Sequence, residues 1–448
     1  MAIFPLPHHP SCRSIDPLSL CDDLANGDDG TVPHVVLIGV LLQHVDKDLR
    51  DAEALPPLSR TNWTTIFPRM VEDIAYSLHM DSSLRTDGLK ELLEHKTWSR
   101  EELCRFRSNL ISNVLSLEKV FPAPSLHQLC DEHRIATFQT DQVDCLLAHL
   151  LLGTLQIPAG NTWGRPGFTQ LFRGTAATKH TSRAYLRTIL QHFANGGYSA
   201  TLTPVSGFQF HIASGSKLPN VSTSIVRAIT IPVTIVNQPS EPSSRIDCFV
   251  LVAAHSQPGP GPGGTQEERL VGQSPALAIS SLLAPRLASD VAIITSSIPV
   301  HAQWTGHGRD AQMLEVYPAA YRPHRRYIIA DALELDNEDT IRECTPRYVE
   351  REIRKLYAAF SGAKQCWLDE GRSIQDLRIQ MPPWGCGAFG GTPNVKIQCM
   401  MMAAGLAGIE SENLELLVPK DREDELSSVP PQGTTICDMF GRLTDTLR

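Results

Sequence analysis

Past Gly196-Gly197 the hydrophobic period of this chain changes, and that change limits the fold more than any other feature. Residues 228–236 (AITIPVTIV), 247–253, 291–295 (VAIIT), 326–330 (RYIIA) and 414–418 (LELLV) are short apolar runs rich in β-branched residues, as buried strands are. Between them, residues 276–288, 348–360 and 395–406 carry the three-to-four spacing of helices. Strands alternating with helices predict a three-layer α/β/α domain with a mixed sheet. In such sheets ligands bind at loops beyond the strand ends.

Ahead of that point the pattern is helical. Trp63, Ile66, Met70, Ile74 and Leu78 recur at one-turn spacing, and residues 103–117 repeat it. Thr140-Asp141 precedes Val143, Leu146, Leu147, Leu150 and Leu151, which reads as a capped helix start with a buried stripe. His149 within it is expected to be a core histidine, and residues 185–193 form a further helix. Residues 1–54, rich in Pro, Ser, Asp and Gly, predict a loosely ordered tail with one docked segment at 35–42. The expected division is therefore a tail over 1–54, an all-helical accessory domain over 55–200 and an α/β domain over 201–448.

A chain of 448 residues is too long for one small core. Its eleven cysteines are odd in number and form no C-x-x-C pair, which argues against a disulfide framework or zinc ribbon and for a reducing compartment. Residues 1–10 lack a basic segment followed by an apolar core. The longest apolar run, 143–155, is interrupted by His149 and too short to span a bilayer. The expectation is a soluble monomer, nuclear or cytoplasmic, without membrane contact. A net charge of −9 disfavours direct nucleic-acid binding. It also means that a polyanionic ligand would need local cations or backbone donors.

Two stretches carry chemistry. Residues 259–269 read GPGPGGTQEER. Glycine lets backbone N–H groups approach an anion because no Cβ intervenes, and two carboxylates, Glu267 and Glu268, follow at once. A phosphate cradle beside paired acids suits cleavage of a glycosidic bond in a diphosphate-bearing substrate. One carboxylic acid protonates the departing oxygen, and a fixed negative charge stabilises an oxocarbenium-like transition state. The second stretch, 384–391 (WGCGAFGG), packs four glycines around two aromatics ahead of a helical pattern at 394–406.

Gln-Glu-Glu after a glycine-rich loop, followed much later by WGCGAFGG, resembles the poly(ADP-ribose) glycohydrolase family. Residues 141–149 (DQVDCLLAH), 168–174 (FTQLFRG), 328–333 (IIADAL) and 351–360 are similar to family segments too, and the likeness runs from about residue 55 to about residue 420. The resemblance implies a macrodomain-like catalytic domain behind a helical accessory layer. It implies release of ADP-ribose from poly(ADP-ribose) with water as acceptor, in the DNA damage response, with no metal or organic cofactor. Expected partners are poly(ADP-ribose) or ADP-ribosylated proteins.

Carried onto this chain, the family's acid is Glu268, a role that needs a raised pKa. Glu267 would accept hydrogen bonds from ribose hydroxyls. Gln266 stands among the substrate-contact positions, with a structural amide as its plainer role. Gly263, Gly264, Gly387, Ala388 and Gly390 would supply backbone contacts, and Phe389 would pack against a ribose. Trp384 reads as a core aromatic, and Asp247 and His307 complete the expected substrate contacts.

The chain departs from the family pattern at several points. Where the family has three consecutive glycines, it has Ser256-Gln257-Pro258, and Pro258, Pro260 and Pro262 carry no N–H to donate. Asp247 lies about two residues farther from the glutamates than the family aspartate, and Val250 stands in place of an asparagine. His307 replaces the tyrosine that covers the nucleotide, and the aromatic expected after the last strand is lost within Leu417-Val418-Pro419. Two functional readings follow: an active ADP-ribose glycohydrolase, and a weak or inactive ADP-ribose-binding module. A purely structural scaffold would leave the acid pair unexplained.

Overall fold

The computed structural model describes residues 3–21, 30–54, 60–95, 98–160, 163–164, 166–175, 178–200, 207–236, 247–306, 308–335, 340–420, 422–423 and 433–445. His307 and the Trp63 side chain lie outside them. The central mixed sheet holds Ile135–Phe138 (β1), Phe208–Ser214 (β2), Val233–Val236 (β3), Phe249–Ala254 (β4), Val291–Thr295 (β5), His324–Asp331 (β6), Ile379–Met381 (β7) and Leu414–Pro419 (β8). Their order is β1-β2-β5-β6-β4-β7-β8-β3, with the two-residue strand Ile298–Pro299 paired to β6. From β1 to β6 neighbours are antiparallel; from β6 through β4, β7 and β8 to β3 they are parallel. The parallel half therefore turns the carboxyl ends of five neighbouring strands, β6, β4, β7, β8 and β3, toward one end of the sheet.

Both faces of this sheet are covered, and side-chain alternation divides the core accordingly. On β4, Val250 and Val252 join one hydrophobic cluster, and Phe249 and Leu251 join the other. Tyr327 and Ile329 of β6 alternate with Ile328 and Ala330 in the same way, as a period of two requires.

Among the described residues, and besides the single turn Leu117–Val120, the first cluster joins the sheet to six longer helices from the first half of the chain. These are His34–Ala54 (α1), Arg60–His79 (α2), Asp87–His95 (α3), Arg100–Leu115 (α4), Thr140–Leu152 (α5) and Lys179–Ala194 (α6). Gln266–Gln273 (α7) packs on the same side. The second cluster places Pro346–Asp369 (α8), Pro393–Ala407 (α9) and Ile436–Asp445 (α10) on the other face. The expected three-layer architecture with a mixed sheet is the one observed. No helix among the described residues is long and apolar enough to cross a membrane.

Local differences have physical causes. The tail reading of residues 1–54 does not match the described segments. Ile3–Pro5 pairs with Ser125–His127, Phe4 and Leu6 are fully buried, and α1 buries Leu37, Ile38 and Leu42 against the other helices. The helix expected at 276–288 is a 3-10 turn, Pro275–Ile279, and one helical turn, Ser280–Leu283. The helix here starts earlier, at Gln266, because Thr265 and Glu268 form a capping box, and Pro275 cannot extend it. The strand expected over 228–236 is confined to β3, beyond Pro232. β1, β2 and β7 escaped the pattern because they are short or carry polar residues such as Gln209, His211 and Gln380. α5 is capped by Gln139 with Gln142 rather than by Thr140. His149 is buried within α5 and hydrogen-bonded to Thr154 Oγ1 at 2.6 Å, as a core histidine should be.

Candidate functional site

Beyond the carboxyl ends of β4, β7 and β8 lies a cleft of about 230 Å³. Its walls come from Ala253 at the end of β4, Thr265, Gln266 and Arg269 at the start of α7, and Gly385, Gly387, Ala388 and Phe389. Pro382 and Pro383 follow β7, and Leu417, Pro419 and Arg422 close the far side. The two stretches singled out in the sequence, more than a hundred residues apart, thus meet in one place, where the topology of a parallel sheet leaves room for a ligand.

The opening of α7 is held by its own side chains. Gln266 uses both ends of its amide on β4: Oε1 accepts from the Ala253 N–H at 2.8 Å, and Nε2 donates to the Leu251 carbonyl at 2.9 Å. This fixes the helix start against the strand end, the structural-amide role. The Glu268 carboxylate turns back to accept from the Thr265 N–H at 2.7 Å and from the Thr265 hydroxyl. Gly261 and Gly263 lie over this carboxylate, and a Cβ on Gly261 would stand 2.7 Å from Glu268 Oε1. Glu268 is therefore next to the cleft-lining Thr265 without lining the cleft itself in this arrangement.

Glu267 points elsewhere. It is 5% exposed, and its two oxygens accept the N–H groups of His255 at 2.7 Å and Gly259 at 3.0 Å. This differs from the expected contact with ribose hydroxyls: both oxygens are committed to tying the 255–259 loop to α7. Burial, then the adjacent Glu268 charge, pushes the Glu267 pKa up to about 8 against these two hydrogen bonds.

A carboxyl raised in the native state from its ordinary 4.5 keeps a proton that the unfolded chain has already released. Its contribution to stability is therefore lost as pH rises from about 4.5 to about 8, with a slope approaching about 1.4 kcal/mol per pH unit, and is flat above. Urea midpoints measured from pH 5 to pH 9 should decline for the wild type relative to Glu267→Gln. A difference between the two proteins that does not change with pH would contradict this assignment.

The Gly/Pro run is packed onto the body rather than splayed into solvent. Gln170 Nε2 donates to the Pro260 carbonyl at 2.7 Å, and Gly308 N–H donates to the Gly264 carbonyl at 2.8 Å. Gly264 has φ +69°, and a Cβ there would lie 2.3 Å from the Gly308 carbonyl oxygen, so only glycine fits without displacement. Gly264 acts here as a joint between loops, while Gly263 is exposed beside Glu268.

Across the cleft, the N–H groups of Gly387, Ala388 and Phe389 meet no acceptor among the described residues. Phe389 is half-buried, packed on the second core cluster with one side to the cleft. Gly390 closes the turn, donating to the Gly387 carbonyl at 3.0 Å. Trp384 is fully buried and donates to the Ala330 carbonyl at 3.0 Å, which makes it a core aromatic.

The loop stands on Lys396, whose side chain packs against both Gly385 and Gly391; a Cβ at Gly391 would lie 2.5 Å from Lys396 Cε. The fully buried ammonium pairs with Glu352 and, at 3.4 Å, with Glu343. Glu343 in turn accepts the Thr392 N–H at the start of α9, at 3.0 and 3.2 Å. Arg351 bridges Glu352 to Asp331 at the end of β6, and Lys355 pairs with Asp331 at 2.5 Å. Three acids and three bases thus balance beneath the loop, as buried charges must.

Asp247 does not join the cleft. It sits with φ +72° before the amino end of β4, six residues ahead of Ala253 or about 20 Å along an extended strand. Its carboxylate is paired with Arg326 at 2.9 Å and with Arg372. Burial disfavours the charge, but the two guanidinium groups outweigh it and hold the Asp247 pKa down. Val250 is buried in the strand, facing the first core cluster.

Sequence reasoning missed Arg269 and Arg422 as lining residues and the charge network under the glycine loop. Thr265-x-x-Glu268 was a legible capping signal. Arg422 belongs to no local pattern; only the folded chain brings it to the cleft. No cluster of three or more His, Cys, Asp or Glu residues among the described residues is arranged to hold a metal.

Residues 259–415 match the family described as poly(ADP-ribose) glycohydrolase (PARG), macro domain fold. Among solved structures, the chain is similar to poly(ADP-ribose) glycohydrolase from Deinococcus radiodurans in complex with ADP-ribose, at 15% identity over 53% of this chain and 94% of that one, with a TM-score of 0.32. The apo form of that protein gives 15% identity over 53% and 93%, with a TM-score of 0.30. A macrodomain from Oceanobacillus iheyensis with ADP gives 11% identity over 53% and 97%, with a TM-score of 0.26. Similarity at this level adds nothing to the family match. No curated protein sequence matches the chain.

Proposed function

Because this chain is a divergent member of the poly(ADP-ribose) glycohydrolase family, matched over residues 259–415, we propose that its cleft binds ADP-ribose units and that it hydrolyses the ribose–ribose bond of poly(ADP-ribose). The observation that carries this reading is the convergence of Thr265–Gln266 and the 385–389 loop on one cleft at the carboxyl ends of parallel strands.

In the proposed reaction Glu268 donates a proton to the departing ribose oxygen as the C–O bond breaks. Positive charge spreads over the anomeric carbon and ring oxygen, and water then adds and releases a proton. Glu268 reaches the substrate by leaving its cap on Thr265. A capping interaction contributes only about 1 kcal/mol, so this turn is accessible on binding. Glu267 acts through position: by tying the 255–259 loop to α7 it sets where Glu268 starts. The free N–H groups of 387–389 suit the distal ribose and diphosphate, and Phe389 offers its ring to the ribose. The division into a helical accessory domain and a catalytic domain near residue 200 belongs to this proposal. The shared first core cluster makes the helices the covering layer behind the cleft.

A second reading, an ADP-ribose-binding module without turnover, is favoured by one observation: no carboxylate is among the described lining residues, and Glu268 is engaged by Thr265. Both readings require the ligand to touch Phe389. Calorimetric titration with ADP-ribose should show Phe389→Ala binding about tenfold more weakly than wild type, the loss of one aromatic contact. Undiminished affinity would put the ligand elsewhere.

A further inference from the structure

Carbonyl groups tie the segment from Pro260 to Glu268, which carries the proposed acid, to donors elsewhere in the chain. The Pro260 carbonyl accepts from Gln170 Nε2, the Gly264 carbonyl from the Gly308 N–H, and the Glu268 carbonyl from the Tyr185 hydroxyl. Pro260 and Pro262 themselves have no N–H to donate. All three ties lead back to the helical layer. Gln170 stands on the turn Thr169–Leu171, and Thr181 Oγ1 of α6 donates to the Gly308 carbonyl at 3.3 Å. Tyr185 lies one turn farther along α6.

Tyr185 is the tie nearest the acid. Its ring is fully buried, 6.1 Å from Phe168 and edge-on to Trp304 at 5.1 Å. Trp304 lies so close to α7 that a Cβ on Gly272 would stand 2.3 Å from its ring. Its Nε1 donates to Thr188 Oγ1 of α6 at 3.3 Å. Held between these rings, the phenol reaches a carbonyl that helix geometry also pairs with the Gly272 N–H, and a carbonyl oxygen has lone pairs for both. Burial, then the charges of Glu268 and Glu267, keep the Tyr185 pKa well above the usual 10, with the Gly261 backbone opposing, so the hydroxyl keeps its proton to donate.

The Glu268 side chain has to leave Thr265 before it can reach a substrate. When it does, the first turn of α7 gives up its capping box, and the backbone that carries the acid loses a local restraint. A carbonyl held from behind by a buried tyrosine lets the carboxylate turn about its own side-chain bonds while its Cα stays in place. We propose that Tyr185 is the positioning residue of the acid: the helical layer places Glu268 through the Tyr185 hydroxyl, and Gln170 and Thr181 hold the preceding loop to the same end. The layer is then part of the catalytic apparatus as well as its cover. This rests on the reading that Glu268 is the acid of a glycohydrolase.

The test compares wild type, Tyr185→Phe, Glu268→Gln and the double variant. It measures release of ADP-ribose from poly(ADP-ribose), ADP-ribose affinity and amide hydrogen exchange, with thermal melts to confirm folding. Phenylalanine keeps the ring between Phe168 and Trp304 and removes only the hydroxyl. Tyr185→Phe should lower kcat about tenfold, with KM and ADP-ribose affinity within about twofold of wild type. Amide exchange over 260–268 should quicken while exchange over 385–391 does not. In the Glu268→Gln background the same change should alter the residual rate by less than about twofold, because the acid that it places is gone. Gln170→Leu, which cuts the tie at Pro260 without touching the buried rings, should show the same split, and it decides the matter if Tyr185→Phe does not fold. A loss of equal size with and without Glu268, or kcat within about twofold of an active wild type in the folded variant, would overturn the proposal and leave the glycohydrolase reading standing. Wild-type protein without turnover would sink that reading. Quickened exchange over 260–268 would then leave Tyr185 as the holder of this segment, and unchanged exchange would overturn that role as well.

Discussion

Replacing Glu268 by Gln should lower the rate of ADP-ribose release from poly(ADP-ribose) by roughly 10²- to 10⁴-fold, the usual contribution of a positioned general acid. ADP-ribose affinity should stay within about threefold of wild type. The amide keeps the length and shape of the side chain, and its oxygen can still accept from the Thr265 N–H that the carboxylate engages at 2.7 Å. What it loses is the acidic proton. An equal fall in kcat and kcat/KM would mark an interaction made only in the transition state. If affinity and rate collapse together, Glu268 is holding the start of α7 rather than doing chemistry.

The second large effect concerns the support rather than the chemistry. Lys396→Met keeps much of the side chain on which Gly385 and Gly391 rest but removes the ammonium between Glu352 and Glu343. Those carboxylates are 1% exposed, so the substitution leaves Glu343 buried without its cation and the network one negative charge in excess, Glu352 keeping Arg351. Breaking such a pair costs about 3–5 kcal/mol. Urea unfolding should show that loss, together with weaker ADP-ribose binding because the 385–391 loop stands on this group. The double variant Lys396→Met with Glu352→Gln should recover part of the stability by removing the excess negative charge. A single variant within about 0.5 kcal/mol of wild type would mean that the network does not support the loop.

The parts of the fold that were legible in the sequence are those decided by strong local periodicity. Residues 291–295 and 414–418 are almost wholly apolar and became strands, and Val349, Ile353, Leu356 and Phe360 mark the buried face of α8. The illegible parts were decided by tertiary partners. Ile135–Phe138 lies inside a helical region and became a strand by pairing with Phe208–Ser214. Residues 1–54 look like a tail by composition, yet Phe4 and Leu6 find the helical layer and are fully buried.

The site divides in the same way. That 259–269 and 384–391 belong to one cleft followed from the family resemblance and from their places at loops beyond strand ends, and the sheet topology explains why they meet. The division of labour within Gln266-Glu267-Glu268 was not fully visible, because adjacent residues on a helix point in different directions. Gln266 faces β4, Glu267 faces the 255–259 loop and Glu268 turns back to Thr265. Asp247 shows the opposite error: spacing along the sequence kept it near the motif, and the length of an extended strand carries it to the far end of the sheet. His307 falls outside the described residues.

The measurement that bears most directly on the central claim is the product formed when wild-type protein is incubated with poly(ADP-ribose). Free ADP-ribose accumulating with repeated turnover is the predicted result. Poly(ADP-ribose) left at its original length, with ADP-ribose still bound in the cleft, would contradict the claim and leave the fold serving recognition alone.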